Sequence, residues 1–291
     1  MSDGAIGGAA VAGARREPVR WPGGEAVAMT IGVALEAFDL HSQVRTEGRP
    51  GELDLFSLSY GDYGWRVGVW RLLELFAEEG VHGSFSISGR VAEDHPEAIR
   101  AIADGGHDLV AHGWVNDRLM AKATEAEERE MIQRTLAAIE AAGGRRPTGW
   151  ASPGNMSSER TTAILFEEGI TWTGDDASDD VPYVEEVDGG RMAVLPKANI
   201  DANDLLQWVI PKNAPTIFFD SFSATFDTLH AEGLRGRPGW ADVVLHCHMA
   251  GRPTFVPTLR AVLHYVRDHE QVWWTRKSDL AAWTLDQGFV R

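Results

Sequence analysis

One cysteine in 291 residues, Cys247, leaves no partner for an intramolecular disulfide and fits a reducing compartment. Positive charge is scarce as well: 27 Lys and Arg stand against 43 Asp and Glu, a formal net charge of −16. A field of that sign repels phosphate backbones and anionic lipid, which argues against nucleic acid or a membrane surface as partner. Long apolar runs are missing too, and none approaches the roughly 20 residues needed to cross a bilayer. Residues 1–20 carry an acid where an export signal wants Lys or Arg, and their centre is broken by glycine. They read as a mobile arm. These absences predict a cytoplasmic protein with neither nucleic acid nor membrane as partner. The chain as a whole is ordinary at 44% hydrophobic and 24% charged, and residues 21–291 can bury a large core without disulfides or a structural metal.

What the chain does have is alternation. "AVAMTIGVAL" (26–35) is a short continuous apolar run, the pattern of a buried strand. The polar "HSQVRTEGRPGELD" after it is too long for a tight turn and reads as a candidate active-site loop. "RVGVWRLLELFAEEG" repeats apolar residues at Val69, Leu72, Leu73 and Phe76, a helical rhythm that stops at Gly80. "GSFSIS" and "HDLVAHG" read as strands around the helix "HPEAIRAIADGG". The next helix opens on a capping box, Thr124 with Glu127, and ends on two glycines. "RPTGWASP", "ITWTGD", "RMAVLP", "ADVVLHCH" and "QVWWT" continue the strands, with helical segments between them. Strand and helix in turn, with no break in composition, predict one α/β domain around a parallel sheet or barrel.

In such folds ligands gather where the parallel strands end. The first strand delivers Glu36. The third delivers His112, with Trp114, Asn116 and Asp117 just beyond. "WASPGN" contributes Asn155, and "VLP" leads into Asp201, Asn203 and Asp204. "VVLHCHMAGRP" delivers His246 and His248 on either side of Cys247, then Arg252. A carboxylate and several imidazoles at one end of a barrel make an acid/base or metal constellation. Each has a plainer reading: a loop acid for Glu36, a core histidine for His112, a helix cap for Asp204, a structural salt bridge for Arg252. Cys247 alternates to the opposite face and reads as packed rather than nucleophilic.

The stretches "DYGWRVGVWRLLELF", "GHDLVAHGW", "RPTGW", "SDDVPY", "VLPKANIDANDL" and "VLHCHMAGRPTFVPTLRAVLHYVRDHEQVWWTRKSDLA" carry a resemblance. Together they resemble the polysaccharide deacetylase superfamily, and within it the metal-independent allantoinase and cyclic imidase branch. The resemblance implies a distorted (β/α)7 barrel and a homo-oligomer of about four chains. It places His246 on the catalytic histidine of the family's final motif, while His248 falls on no family histidine. The departures are informative. Metal-dependent members end the first strand with two aspartates, where this chain has Ala34 and Glu36, and pair two zinc-binding histidines where it has His112 and Asn116. If a metal were bound, Glu36, His112 and Asn116 would hold it, and an amide oxygen is a poor third ligand. No cofactor is therefore expected, with zinc as the alternative.

The predicted reaction is hydrolysis of a non-peptide C–N bond, the opening of a cyclic amide or imide ring. Glu36, its pKa expected to be raised by burial, would act as general base on water. His246 would protonate the leaving nitrogen and His112 would orient water or stabilise the oxyanion. Trp114, Asn116, Asp117, Asn155, Asn203, Asp204, His248 and Arg252 are the expected substrate contacts. A metal-dependent deacetylase of a carbohydrate acetamide and a non-catalytic binding protein are the alternatives. The tryptophan-rich "GWADV" and "VWWT" are compatible with subunit contacts or with core packing.

Overall fold

A computed structural model describes residues 19–42, 52–197 and 202–289. Most of the expected arm, the centre of the candidate loop after β1, and Asp201 lie outside these. Val19, assigned to the arm from sequence, packs beside Trp21, so the packed chain starts no later than Val19.

The strands are β1 (Val27–Leu35), β2 (Ser84–Ile87), β3 (Asp108–Ala111), β4 (Gly149–Trp150), β5 (Trp172–Thr173), β6 (Tyr183–Val187), β7 (Gly190–Val194), β8 (Gly239–His246) and β9 (Val272–Trp274). They form one sheet in the order β6-β7-β5-β4-β3-β2-β1-β8, and β9 also pairs with β1. Every pairing is parallel except the hairpin β6–β7. The seven parallel strands from β7 round to β8 make the curled wall of a (β/α)7 barrel. Among the described residues its two ends, β7 and β8, are not paired, and a single bridge joins Asn203 to Val244 in the gap.

The period of two along each strand sorts side chains to two cores. On β1, Val27, Met29, Ile31, Val33 and Leu35 join the outer core with the surrounding helices. The alternate residues Ala28, Thr30, Gly32 and Ala34 face the lumen, whose floor is packed by Trp21, Trp172 and Trp240. Trp240 is 1% exposed and donates to Thr30 Oγ1 at 2.9 Å, so "GWADV" is interior packing and not a contact surface.

The helix predicted from Arg66 begins earlier, at Leu55, where the Asp54 side chain accepts from Ser57 N. It runs through a π-helical turn, Gly64–Gly68, into Val69–Glu79. Glycine is required in that turn. A Cβ on Gly68 would lie 1.9 Å from the Cys247 carbonyl oxygen, and one on Gly251 would lie 2.4 Å from Gly68 Cα. Backbone therefore presses on backbone, which clamps the turn after β8 against this helix.

Candidate active site

The same parity that builds the lumen builds the site. Glu36 follows Ala34 on the inward face of β1, His112 follows Val110 on β3, and His246 follows Val244 on β8. Ala34 pairs with His246 in register, and Leu35, Ile87 and Ala111 lie across from one another on β1, β2 and β3. The three side chains therefore emerge at one level, the mouth of the barrel, and line a cavity of about 210 Å³. Glu36 is 3% exposed and each histidine 6%.

Glu36 Oε1 lies 3.3 Å from His112 Nε2 and 4.0 Å from His246 Nε2. His112 Nδ1 sits 2.6 Å from the Ala151 carbonyl oxygen, so that nitrogen carries a proton and donates. Asp204 grips His246 twice, accepting from its backbone N at 2.8 Å and from Nδ1 at 2.6 Å. Asp204 is thus a fully buried partner of the histidine rather than the helix cap considered from sequence.

These contacts overturn the expected charge of the acid. Burial raises the pKa of Glu36, but the His246 charge, the hydrogen bond to His112 and the nearby His248 together outweigh it, leaving about 2. His246 moves the other way. Burial lowers its pKa, yet Asp204 and Glu36 raise it to about 9. At neutral pH the site holds a carboxylate against an imidazolium.

His248 does not share the pocket. The chain leaves the strand after His246 and turns into a short helix, Cys247–Ala250. That turn puts His248 behind the carboxylate, 1% exposed, with Nδ1 3.9 Å from Glu36 Oε2 and its ring edge-on to Phe38 and Tyr60. Burial lowers its pKa to about 3, so it is neutral. Cys247 is fully buried in the outer core, and burial raises its thiol well above the ordinary value.

Of the other residues expected to touch substrate, Asn155 and Asn203 line the cavity. Asn203 Oδ1 is engaged by the Leu205 and Leu206 amides. Four do not line it. Trp114 stacks under the Arg134 guanidinium in a separate surface groove. Asp117 accepts from the Asp39 and Leu40 amides, which braces the chain just after Glu36. Arg252 lies over Tyr60 and Tyr63 and donates to the His248 carbonyl. Asn116 is buried beside Ala37, its Oδ1 without a hydrogen-bond partner among the described residues. Each of these sits in a turn beyond its strand, where the period of two no longer says which way a side chain faces.

Two lysines were missed. Lys197, after β7, and Lys277, at the start of the last helix, both line the cavity. Lys277 reaches Asp242 on the inward face of β8 at 2.7 Å, and Lys197 bonds Asn155 Oδ1. A signal existed for Lys197, which follows the strand "RMAVLP" as Glu36 follows β1.

A catalytic zinc needs three good protein donors. Among the described residues no three His, Cys, Asp or Glu side chains are grouped to hold a metal ion. Glu36 and His112 meet, but Asn116, the third ligand expected from the resemblance, offers only an amide oxygen and does not line the cavity. The donor set does not fit.

The polysaccharide deacetylase family model matches residues 56–172. The crystal structure of Puue allantoinase has a TM-score of 0.83 at 29% identity, covering 93% of this chain and 94% of that one. A Schizosaccharomyces pombe protein named "Putative polysaccharide deacetylase" is 26% identical over 243 residues, 77% of this chain and 74% of the relative. The peptidoglycan deacetylase of Helicobacter pylori is 20% identical over 263 residues, 79% of this chain and 88% of the relative. Sequence and structure thus lead to one conclusion, that residues 56–172 match the polysaccharide deacetylase family and the chain as a whole is similar in fold to Puue allantoinase.

Proposed function

We propose that this protein is a metal-independent amidohydrolase that opens a small cyclic amide or imide ring. The observation that carries the reading is the charge pattern at the barrel mouth. Glu36 is held ionised and His246 protonated, and the donors there do not make a three-ligand metal set. A cavity of about 210 Å³ suits a small ring, and the 29% identity to Puue allantoinase over nearly the whole chain points the same way.

In the proposed reaction a water held between Glu36 and His112 attacks the ring carbonyl as Glu36 takes its proton. The C–N bond breaks as His246 Nε2 gives a proton to the leaving nitrogen, producing a carboxylic acid, which ionises to solvent, and a free amine or amide. A carboxylate with a pKa of about 2 is a weak base, but its weakness comes partly from the cation beside it. Once His246 donates its proton that cation is gone, and Glu36 becomes more basic as the two titrate together. Glu36 then returns its proton to His246 across 4.0 Å, which restores the starting state. His112, its Nδ1 fixed by the Ala151 carbonyl, orients Glu36 and the water. Each such proton transfer contributes on the order of 10²–10⁴ in rate.

The test is a hydrolysis screen with allantoin, hydantoins, succinimide-type imides and N-acetyl sugars, run with and without chelator alongside elemental analysis. Ring opening that survives chelator is the expected result. About one zinc per chain, with deacetylation abolished by chelator, would defeat the proposal. We also propose a cytoplasmic homo-oligomer. Leu53, Leu55 and Phe56, each more than half exposed, offer an apolar patch for the contact. A monomeric mass by light scattering at micromolar concentration would count against that assembly.

A further inference from the structure

Among the described residues two lysines line the cavity, and only one has a counter-ion. Lys277 Nζ is 2.7 Å from Asp242 Oδ2, and Asp242 is 1% exposed, so this cation is neutralised inside the protein. Lys197 is half-buried in the same cavity and bonds the side-chain oxygen of Asn155, a neutral group. Among the described residues it forms no ion pair. Its nearest carboxylate by electrostatic influence, Asp175, is already engaged, accepting at 2.7 Å from Ser152 N and at 2.6 Å from Ser152 Oγ. A cation drawn out of water without a partner is costly, and an ordinary surface lysine avoids this by swinging into solvent. Lys197 is instead held at the cavity by Asn155, an exposed residue on its rim whose backbone is left-handed, φ 57°, directly after Gly154 at φ 60°. Because Asn155 Oδ1 accepts from Lys197, its Nδ2 group remains a donor beside the ammonium. An ammonium next to an amide N–H is a cradle for two oxygens of one anion.

We infer that Lys197 and Asn155 form an anion-recognition corner of the active-site cavity, and that the substrate is a cyclic amide bearing a carboxylate. This rests on the ring-opening reading and narrows it to a substrate class. The corner lies within electrostatic reach of the reacting groups, since Lys197 and His246 influence one another and Glu36 acts on Lys197. A carboxylate seated there would hold one end of the ring while the scissile bond faces Glu36 and His246. It would also overcome the repulsion that an anion meets on approaching a chain with a formal charge of −16. Burial lowers the pKa of Lys197, and a bound carboxylate would restore it.

The experiment compares two probes of nearly equal shape, hydantoin-5-acetate and its neutral amide, hydantoin-5-acetamide. Turnover and calorimetric binding are measured on the wild type and on Lys197→Met, Lys197→Arg and Asn155→Ala, each checked for folding by thermal melt. The wild type is expected to prefer the acetate by about tenfold to a hundredfold in kcat/KM, mostly through KM, as a charge-assisted contact predicts. Lys197→Met should collapse that ratio to about one, Lys197→Arg should recover part of it, and Asn155→Ala should reduce it less. Equal handling of the two probes by the wild type, or a ratio that survives Lys197→Met, overturns the anion corner while leaving ring opening intact. Tight, Lys197-dependent binding of the acetate without turnover would keep the corner and defeat the ring-opening reading. Absence of both binding and turnover at millimolar acetate would overturn the corner.

Discussion

Two buried ionic clusters sit on the inward face of β8, at Asp242 and at His246, about 13 Å apart along the strand. The lower one is complete. Asp242 accepts from Thr30 Oγ1 and from Lys277 Nζ, both at 2.7 Å, and Trp240 Nε1 completes the set on Thr30. The upper one is not. Glu36 Oε2, both ring nitrogens of His248, Asn116 Oδ1 and Ser88 Oγ are buried with no hydrogen-bond partner among the described residues. The difference teaches how a barrel separates scaffold from chemistry. A satisfied buried pair rigidifies and has nothing further to offer, whereas unpartnered polar atoms around a charged acid invite water and substrate.

The sharpest way to break that contrast is at Glu36. Glu36→Gln keeps the shape but removes the base, so turnover should fall by about 10²–10⁴ while the protein stays folded. A Gln variant that retains turnover on the substrate found in the screen would move the chemistry elsewhere. The opposite response is expected below. Lys277→Met leaves Asp242 charged and alone in the interior and should cost about 3–5 kcal/mol in urea unfolding. Adding Asp242→Asn should return much of that loss, and a double variant no more stable than the single one would show that the pair is not coupled.

The pH profile sharpens the comparison at the mouth. With Glu36 at about 2 and His246 at about 9, activity should be level through neutral pH and fall above about 9 as His246 loses its proton. Asp204→Asn removes the leading attraction and should bring that alkaline limb down toward 6.5. The signs carry over to stability. The His246 contribution is full below 6.5 and is lost as pH rises through 9, while that of Glu36 is full above 4.5 and is lost as pH falls through 2. A limb unmoved by Asp204→Asn would assign the titration to another group.

Smaller effects come from the back of the site. His248 is neutral when folded, with a pKa of about 3 against an ordinary 6.5, so the unfolded chain binds more protons between those values. His248→Leu should remove this penalty and narrow the stability difference between pH 7 and pH 5 by about 1–2 kcal/mol. An unchanged difference in denaturant melts at the two pH values would show that His248 titrates normally. Smallest of all, Cys247→Ser should lose about 1 kcal/mol and leave kcat within about threefold, since the thiol only packs. A large loss of turnover on oxidation-free protein would give the thiol a role in the reaction.

Much of the scaffold was readable from local pattern. Thr124 and Glu127 form the capping box, and Gly80 and Gly144 end their helices in the left-handed conformation. The expected strands are present, though β4 and β5 shrink to two residues each. The short helix Gly89–Asp94 and the hairpin strand β6 went unread. The run "YVEEV" carries two adjacent acids and no clean alternation, and it pairs only because β7 lies antiparallel to it.

The amino-acid sequence by itself determined which residues could reach the barrel mouth. Glu36, His112 and His246 each end or follow an apolar strand with inward parity, and the period of two is a property of the backbone. Tertiary structure alone decided what those residues are. Glu36 looked like an acid with a raised pKa because burial is visible in an apolar run, whereas the imidazolium beside it is brought there by a strand more than 200 residues away. It also decided that Asp204 serves His246, that His248 stands behind the carboxylate, and that Lys197 reaches the cavity without a counter-ion among the described residues. Charge is set by pairwise distance, and no spacing along one chain encodes the distance between strands that meet only when the sheet curls.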